Sequence, residues 1–273
     1  MVLKDVGNDA PEKLATLPTR ELLLAYLTWK RRHVSAVPRQ IKFAQGLLIS
    51  SAYLQFKVVI DEIVRKIETG DSIYGHLSTA VLPSKILNKP DSLLSDWGVH
   101  HLHLSLEQHH KTPALLGRTG PVLWVIFTLE TAHLIGVFPH KPGEPWVEDE
   151  VLETVIREWN GAGVYTKSLR PMGLETTVTL EKRKQARKHG WNALIEVDNH
   201  TWIPAFMTMS GHSMADADVA NRTMLELPLA AANLIKRFPN RAQTLKFIPA
   251  SNTVSFFNPE TRRSEPVIRT YIY

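Results

Sequence analysis

The sequence predicts an α+β protein: helices packed on an antiparallel sheet, followed by a second, smaller α+β unit. Three observations carry this. Apolar residues recur at helical spacing over 17–29 and again in a region that reaches residue 70. They alternate or run continuously, as strands do, over 99–106, 122–128 and 133–138. Helix and strand signals then resume after Gly161-Ala-Gly163, which reads as the junction between a unit at 1–160 and a unit at 161–273.

The first helix follows Leu17-Pro-Thr19, where Thr19 caps free amides and Leu22, Leu23, Tyr26 and Leu27 repeat on one face. Lys30-Arg-Arg-His33 falls in its last turn, where positive charge suits the helix dipole on a solvated face. Pro38 opens a longer helical region to Gly70, with Phe56, Val59, Ile60, Ile63, Val64 and Ile67 in register and Gly70 as C-cap. Residues 70–90 read as loop with one short turn. From Val99 to Leu106 side chains alternate: His100, Leu102, Leu104 and Leu106 face a core, and Val99, His101, His103 and Ser105 face away from it. A polar connection with His109, His110, Lys111 and Arg118 leads to two continuous apolar runs, a hairpin buried on both faces and ending in Pro139-His140-Lys141.

A helix follows between Trp146 and Trp159, with Val151, Leu152, Val155 and Ile156 on its inner side. Thr179 then caps a short helix over 181–189 that carries five basic residues, among them Lys182, Arg183 and Arg187. A hairpin turns at Asp198-Asn199. Ser210-Gly-His-Ser213 precedes a helix over about 215–237 with a kink at Pro228, and strands separated by an Asn258-Pro259 turn close the chain.

Composition removes several classes of function. The 273 residues contain no cysteine, which excludes disulfides, thiolate metal sites and a cysteine nucleophile and makes a cytoplasmic protein the expectation. No segment has the roughly 18 consecutive apolar residues of a membrane span, and the first residues lack the pattern of a secretory signal. A formal charge of +5 leans toward polyanionic partners. Neither a Walker loop nor a dinucleotide glycine fingerprint is present. Ser210-Gly-His-Ser213 lacks the Gly-x-Ser-x-Gly nucleophile pattern and reads as a helix cap.

The chemistry concentrates in the histidines: five of twelve fall between residues 100 and 110. His101 and His103 share one strand face, and His140 and Lys141 end the hairpin beside it. Imidazole suits proton transfer in both directions near neutral pH. One ring can take the proton of a ribose 2′-hydroxyl and another can protonate the departing oxygen, while Arg118 or Lys141 neutralises the phosphate. No cofactor is required. Weighed against this are exposed strand histidines without a role and a zinc or manganese site built from His101, His103, His140 and His109 or His110. The metal reading ranks below the metal-free one, because no His-Glu-x-x-His or similar ligand spacing occurs. Lys182, Arg183 and Arg187 are candidate phosphate contacts on the basic helix.

The order helix, helix, strand, hairpin over residues 19–141, with Arg118 just before the hairpin and His140-Lys141 just after it, resembles the core of RelE-like toxin ribonucleases. The resemblance implies two helices packed on an antiparallel sheet and metal-free cleavage of RNA through its 2′-hydroxyl. It also implies a place in toxin–antitoxin or phage-defence biology, with a cognate antitoxin as partner. Two departures stand out: the second half of the chain has no counterpart in that core, and no clear strand precedes the helices. The competing expectation is a non-catalytic interaction protein that docks a protein or nucleic acid through its basic helix and aromatic hairpins.

Overall fold

The computed structural model of the chain describes residues 16–87, 91–140, 149–159, 165–167, 195–204 and 212–237, the strands at 244–248, 253–258 and 263–269, and positions 179, 181–182, 185–186 and 189. The chain divides into two compact units, Ala25–Met214 and Met1–Leu24 with Ala215–Tyr273. The division therefore falls elsewhere than at Gly161–Gly163, which lies outside the described residues. The architecture is α+β, as the alternation of helical and strand periods predicts.

The larger unit is built on a four-stranded sheet. Its strands are β1 (Gln40–Phe43), β2 (Val99–His103), β3 (Pro121–Phe127) and β4 (Thr131–Pro139), in the order β1-β4-β3-β2. The pairs β2·β3 and β3·β4 are antiparallel, and β1 joins β4 in parallel. Helices α1 (Thr19–Arg31), α2 (Ser51–Gln55), α3 (Lys57–Thr69), α4 (Ser92–Trp97) and α5 (Asp149–Trp159) account for the helical signals up to residue 159. One sheet face packs Leu102, Leu123, Val125 and Leu134 against Ile60, Ile63 and Ile67 of α3. The other packs Val99, Val122, Trp124 and Ile126 against Leu93 and Trp97 of α4 and Val151, Leu152, Val155 and Ile156 of α5. A small sheet also contributes to that second cluster through Ile195, Val197 and Trp202. Its strands are β5 (Tyr165–Lys167), β6 (Ile195–Val197) and β7 (His200–Pro204), in the order β5-β7-β6. Burial on both faces is why β3 and β4 read as unbroken apolar runs.

Four expectations are corrected. The region from Pro38 is not one helix: Gln40-Ile-Lys-Phe alternates with period two and forms β1, and the helices begin only after the left-handed Gly46. Gly70 does end α3 in the left-handed conformation, and a Cβ there would lie 2.6 Å from the Pro38 ring. Glycine is therefore required for the cap and for the close approach together. Arg32 is not a solvated dipole partner but is 4% exposed, donating to the carbonyls of Ala80 and Lys85 at 3.0 Å each. Those carbonyls belong to the last two of three 3₁₀ turns, Tyr74–His76, Thr79–Val81 and Pro83–Lys85, where one short turn was expected. Finally, Leu106 lies beyond the end of β2 and is half exposed instead of facing the core.

In the turn between β6 and β7, Asp198 and Asn199 both adopt positive φ, the two-residue geometry that their residue types favour. The Thr179 hydroxyl accepts from the backbone N–H of Lys182, as a cap would, and the described positions 181–182 and 185–186 are helical. In the smaller unit, α6 (Met214–Arg237) contains Pro228, and β8 (Thr244–Ile248), β9 (Thr253–Asn258) and β10 (Arg263–Arg269) form an antiparallel sheet. Among the described residues no helix is long and apolar enough to cross a membrane.

Candidate active site

The period-two alternation of β2 places His101 and His103 on one side and His100 on the other, where its ring meets Phe127 edge-on at 5.4 Å. The side that carries the pair is not open to solvent, as the sequence suggested. It is the face covered by α4 and α5, so His103 is buried and His101 largely so.

His140 joins the pair through an irregularity in β4. The register passes from Trp124↔Gly136 to Val125↔Leu134, leaving Ile135 as an extra residue. Ala132 and Leu134 lie in the α3-side cluster, Ile135 in the other. Beyond the bulge the parity is inverted: Val137 packs against the α3-side cluster and Phe138 against the other. His140, two residues past Phe138, therefore falls on the His101/His103 side. Its backbone N–H donates to the carbonyl of Gly120, which continues the hairpin pairing by one step. Gly136 makes room for this geometry, because a Cβ there would meet the Phe138 ring at 2.3 Å.

The three imidazoles form a closed cluster. Ring centroids are 5.0 Å apart for His101–His140, 5.5 Å for His103–His140 and 5.9 Å for His101–His103. One nitrogen from each lies within 4.8 Å of the others. Hydrogen bonds around the cluster set the rings. The backbone N–H of Thr119 donates to Nδ1 of His103 at 3.4 Å, so a neutral His103 carries its proton on Nε2. Thr119 Oγ1 accepts from the N–H of Leu104 and donates to the Pro121 carbonyl, which holds the end of β2. His76 supports that strand from behind, its Nδ1–H bound to the His103 carbonyl at 2.9 Å.

Asp91, which sequence reasoning did not single out, completes the group. Its Oδ1 caps α4 by accepting from the N–H of Leu94 at 3.1 Å, and its Oδ2 lies 3.6 Å from Nδ1 of His101. The signal for the cap, Asp91-Ser-Leu-Leu94, is present in the sequence. Its proximity to His101 depends on the fold.

Arg118 immediately precedes Thr119. Its Nη1 donates to the Leu77 carbonyl at 2.7 Å, while Nε and Nη2 are shielded from solvent and meet no acceptor among the described residues. Burial pushes His103 down to about 3, and the charge of Arg118 and the neighbouring imidazoles add to this. Burial also lowers His101, but here the Asp91 carboxylate acts in the opposite sense. Both rings are thus neutral near pH 7: His101 presents a lone pair on Nε2 when its Nδ1–H faces Asp91, and His103 presents an Nε2–H.

Of the remaining predicted site residues, Lys182 is exposed, and Lys141, Arg183 and Arg187 lie outside the described residues. His109 and His110 stack on one another at 4.9 Å and are not part of the three-nitrogen group. The spacing of the three nitrogens would suit a divalent transition ion after a contraction of roughly an ångström. Two features weigh against such an ion: the Thr119 N–H on His103 leaves a proton on the nitrogen that would bind it, and the Arg118 guanidinium stands beside the cluster. No protein-family profile, curated protein or solved structure matches this chain.

Proposed function

We propose that this chain is a metal-independent endoribonuclease of toxin or phage-defence type, acting in the cytoplasm and restrained there by a partner protein. The observation that carries the reading is the juxtaposition of three clustered imidazoles with a partly buried guanidinium whose Nε and Nη2 meet no described acceptor. A phosphodiester supplies the missing acceptors and the negative charge that such a cation calls for. The formal charge of +5 favours a polyanionic substrate.

In this mechanism His101 Nε2 takes the proton of the 2′-hydroxyl, the 2′-oxygen bonds to phosphorus, and the bond to the 5′-oxygen breaks. The departing oxygen takes its proton from His140. The Nε2–H of His103 and the guanidinium of Arg118 hold the non-bridging oxygens, where charge accumulates. His103 is assigned as donor and not as acid because a ring pushed to about 3 does not hold a second proton at neutral pH. The products are a 2′,3′-cyclic phosphate and a 5′-hydroxyl.

The test is cleavage of single-stranded RNA in the presence of excess chelator, with end-group analysis of the fragments. Cyclic phosphate ends are expected, and a 2′-deoxy substitution at the cleaved position should block the reaction. His101→Ala, His140→Ala and Arg118→Ala should each lower the rate by about 10²-fold or more. Loss of activity with chelator, restored by zinc or manganese, would replace this mechanism with the metal-dependent one. RNA binding without cleavage would favour the non-catalytic interaction protein.

A further inference from the structure

We propose that Asp91 is a positioning residue for His101: its carboxylate fixes the imidazole with Nδ1–H toward Oδ2 and so leaves Nε2 as the proton acceptor. This rests on the ribonuclease reading for its catalytic meaning, but the geometry stands apart from it. The two carboxylate oxygens are divided between two tasks, Oδ1 on the Leu94 N–H at 3.1 Å and Oδ2 facing His101 Nδ1 at 3.6 Å. The cap bond limits rotation of the carboxylate, so the helix start aims the second oxygen. At 3.6 Å the contact is an ion-pair distance and longer than a hydrogen bond. It shortens when His101 acquires its proton, which is when an adjacent negative charge has most effect.

Among the described residues, the surroundings of His101 make this the one stabilising charge. His140 just past β4 and Arg118 ahead of β3 both oppose protonation of His101, as does burial, and among the described residues Asp91 alone acts in its favour. Arg32, from the end of α1, lies within electrostatic range of Asp91. His103 shares the strand, its ring 5.9 Å from that of His101. Without Asp91 an imidazolium at position 101 would face two cationic or cation-forming neighbours and no anion among these groups. With it, a proton taken from a 2′-hydroxyl has a stable resting place.

Asp91→Asn separates the two tasks, because asparagine caps helices as well as aspartate does but carries no charge. In the full-length protein it should leave the thermal midpoint unchanged and lower the RNA cleavage rate by about 10²- to 10⁴-fold. It should also move the acid limb of the pH–rate profile to lower pH. The His101 ring, followed by NMR titration in free protein, should titrate at lower pH in Asp91→Asn than in the wild type. Asp91→Ser, which also caps, should show the same losses. Wild-type cleavage with an unmoved His101 titration would overturn the proposal. A moved titration in a protein that cleaves no RNA would retain the Asp91–His101 pairing and remove the ribonuclease reading.

Discussion

His133 illustrates how a single buried imidazole links this fold to pH. It lies under the edge of Trp159 at 4.9 Å, is 6% exposed, and has its Nδ1 shielded without a partner among the described residues. Burial lowers its proton affinity below that of a free imidazole, and Lys42 adds to the effect. The unfolded chain therefore binds a proton at this site more readily than the folded one. The stabilising contribution is complete above the unfolded pKa of about 6.5 and is lost as pH falls below it. Denaturant unfolding at pH 7.5 and 5.5 should show a loss of stability over that interval. His133→Phe, which keeps the ring contact with Trp159 and cannot titrate, should lose measurably less.

The β3–β4 hairpin decides where the third imidazole goes, and it does so by counting residues. Without the extra residue at Ile135, position 140 would carry its side chain to the α3 side of the sheet, away from His101 and His103. Gly136→Ala tests this directly, since the added methyl would overlap the Phe138 ring. A destabilisation of about 1–3 kcal/mol is expected from chemical denaturation. The His101–His140 proximity should be disturbed as well, readable as a change in the His140 ring resonances. The same elements mark what could be read in advance. The partition of His101 and His103 from His100 follows from a period of two, and the helices at 19–31, 57–69 and 149–159 from a period of 3.6. Two features were not legible. One was β1, because four alternating residues ahead of a long helical pattern look like the helix's first turn. The other was the covering of the histidine face, which depends on α5 and on strands β6 and β7 some 100 residues further on. Asp91 was legible as a cap, but its place beside His101 is set by how α4 folds back on β2, which no residue pattern encodes.

Taken whole, the larger unit is a sheet clad on both faces, and His101, His103 and His140 cluster on the face that α4 and α5 cover. That placement explains why the rings of His101 and His103 are neutral and why one guanidinium and one carboxylate matter so much, since charges at low dielectric act strongly on each other. The parallel pairing of β1 with β4 has a different kind of consequence, in time. Gln40 pairs with Thr131, and the chain between them holds α2, α3, α4, β2 and β3. Closing that loop of about 90 residues costs far more chain entropy than closing the short turn between β3 and β4. The hairpin is therefore expected to form early and β1 to dock last, so mutations in each should divide differently between the two rate constants. In stopped-flow refolding, Val125→Ala should slow folding, whereas Ile41→Val should act mainly by speeding unfolding. The strand at one sheet edge would then be the first to leave and the last to return.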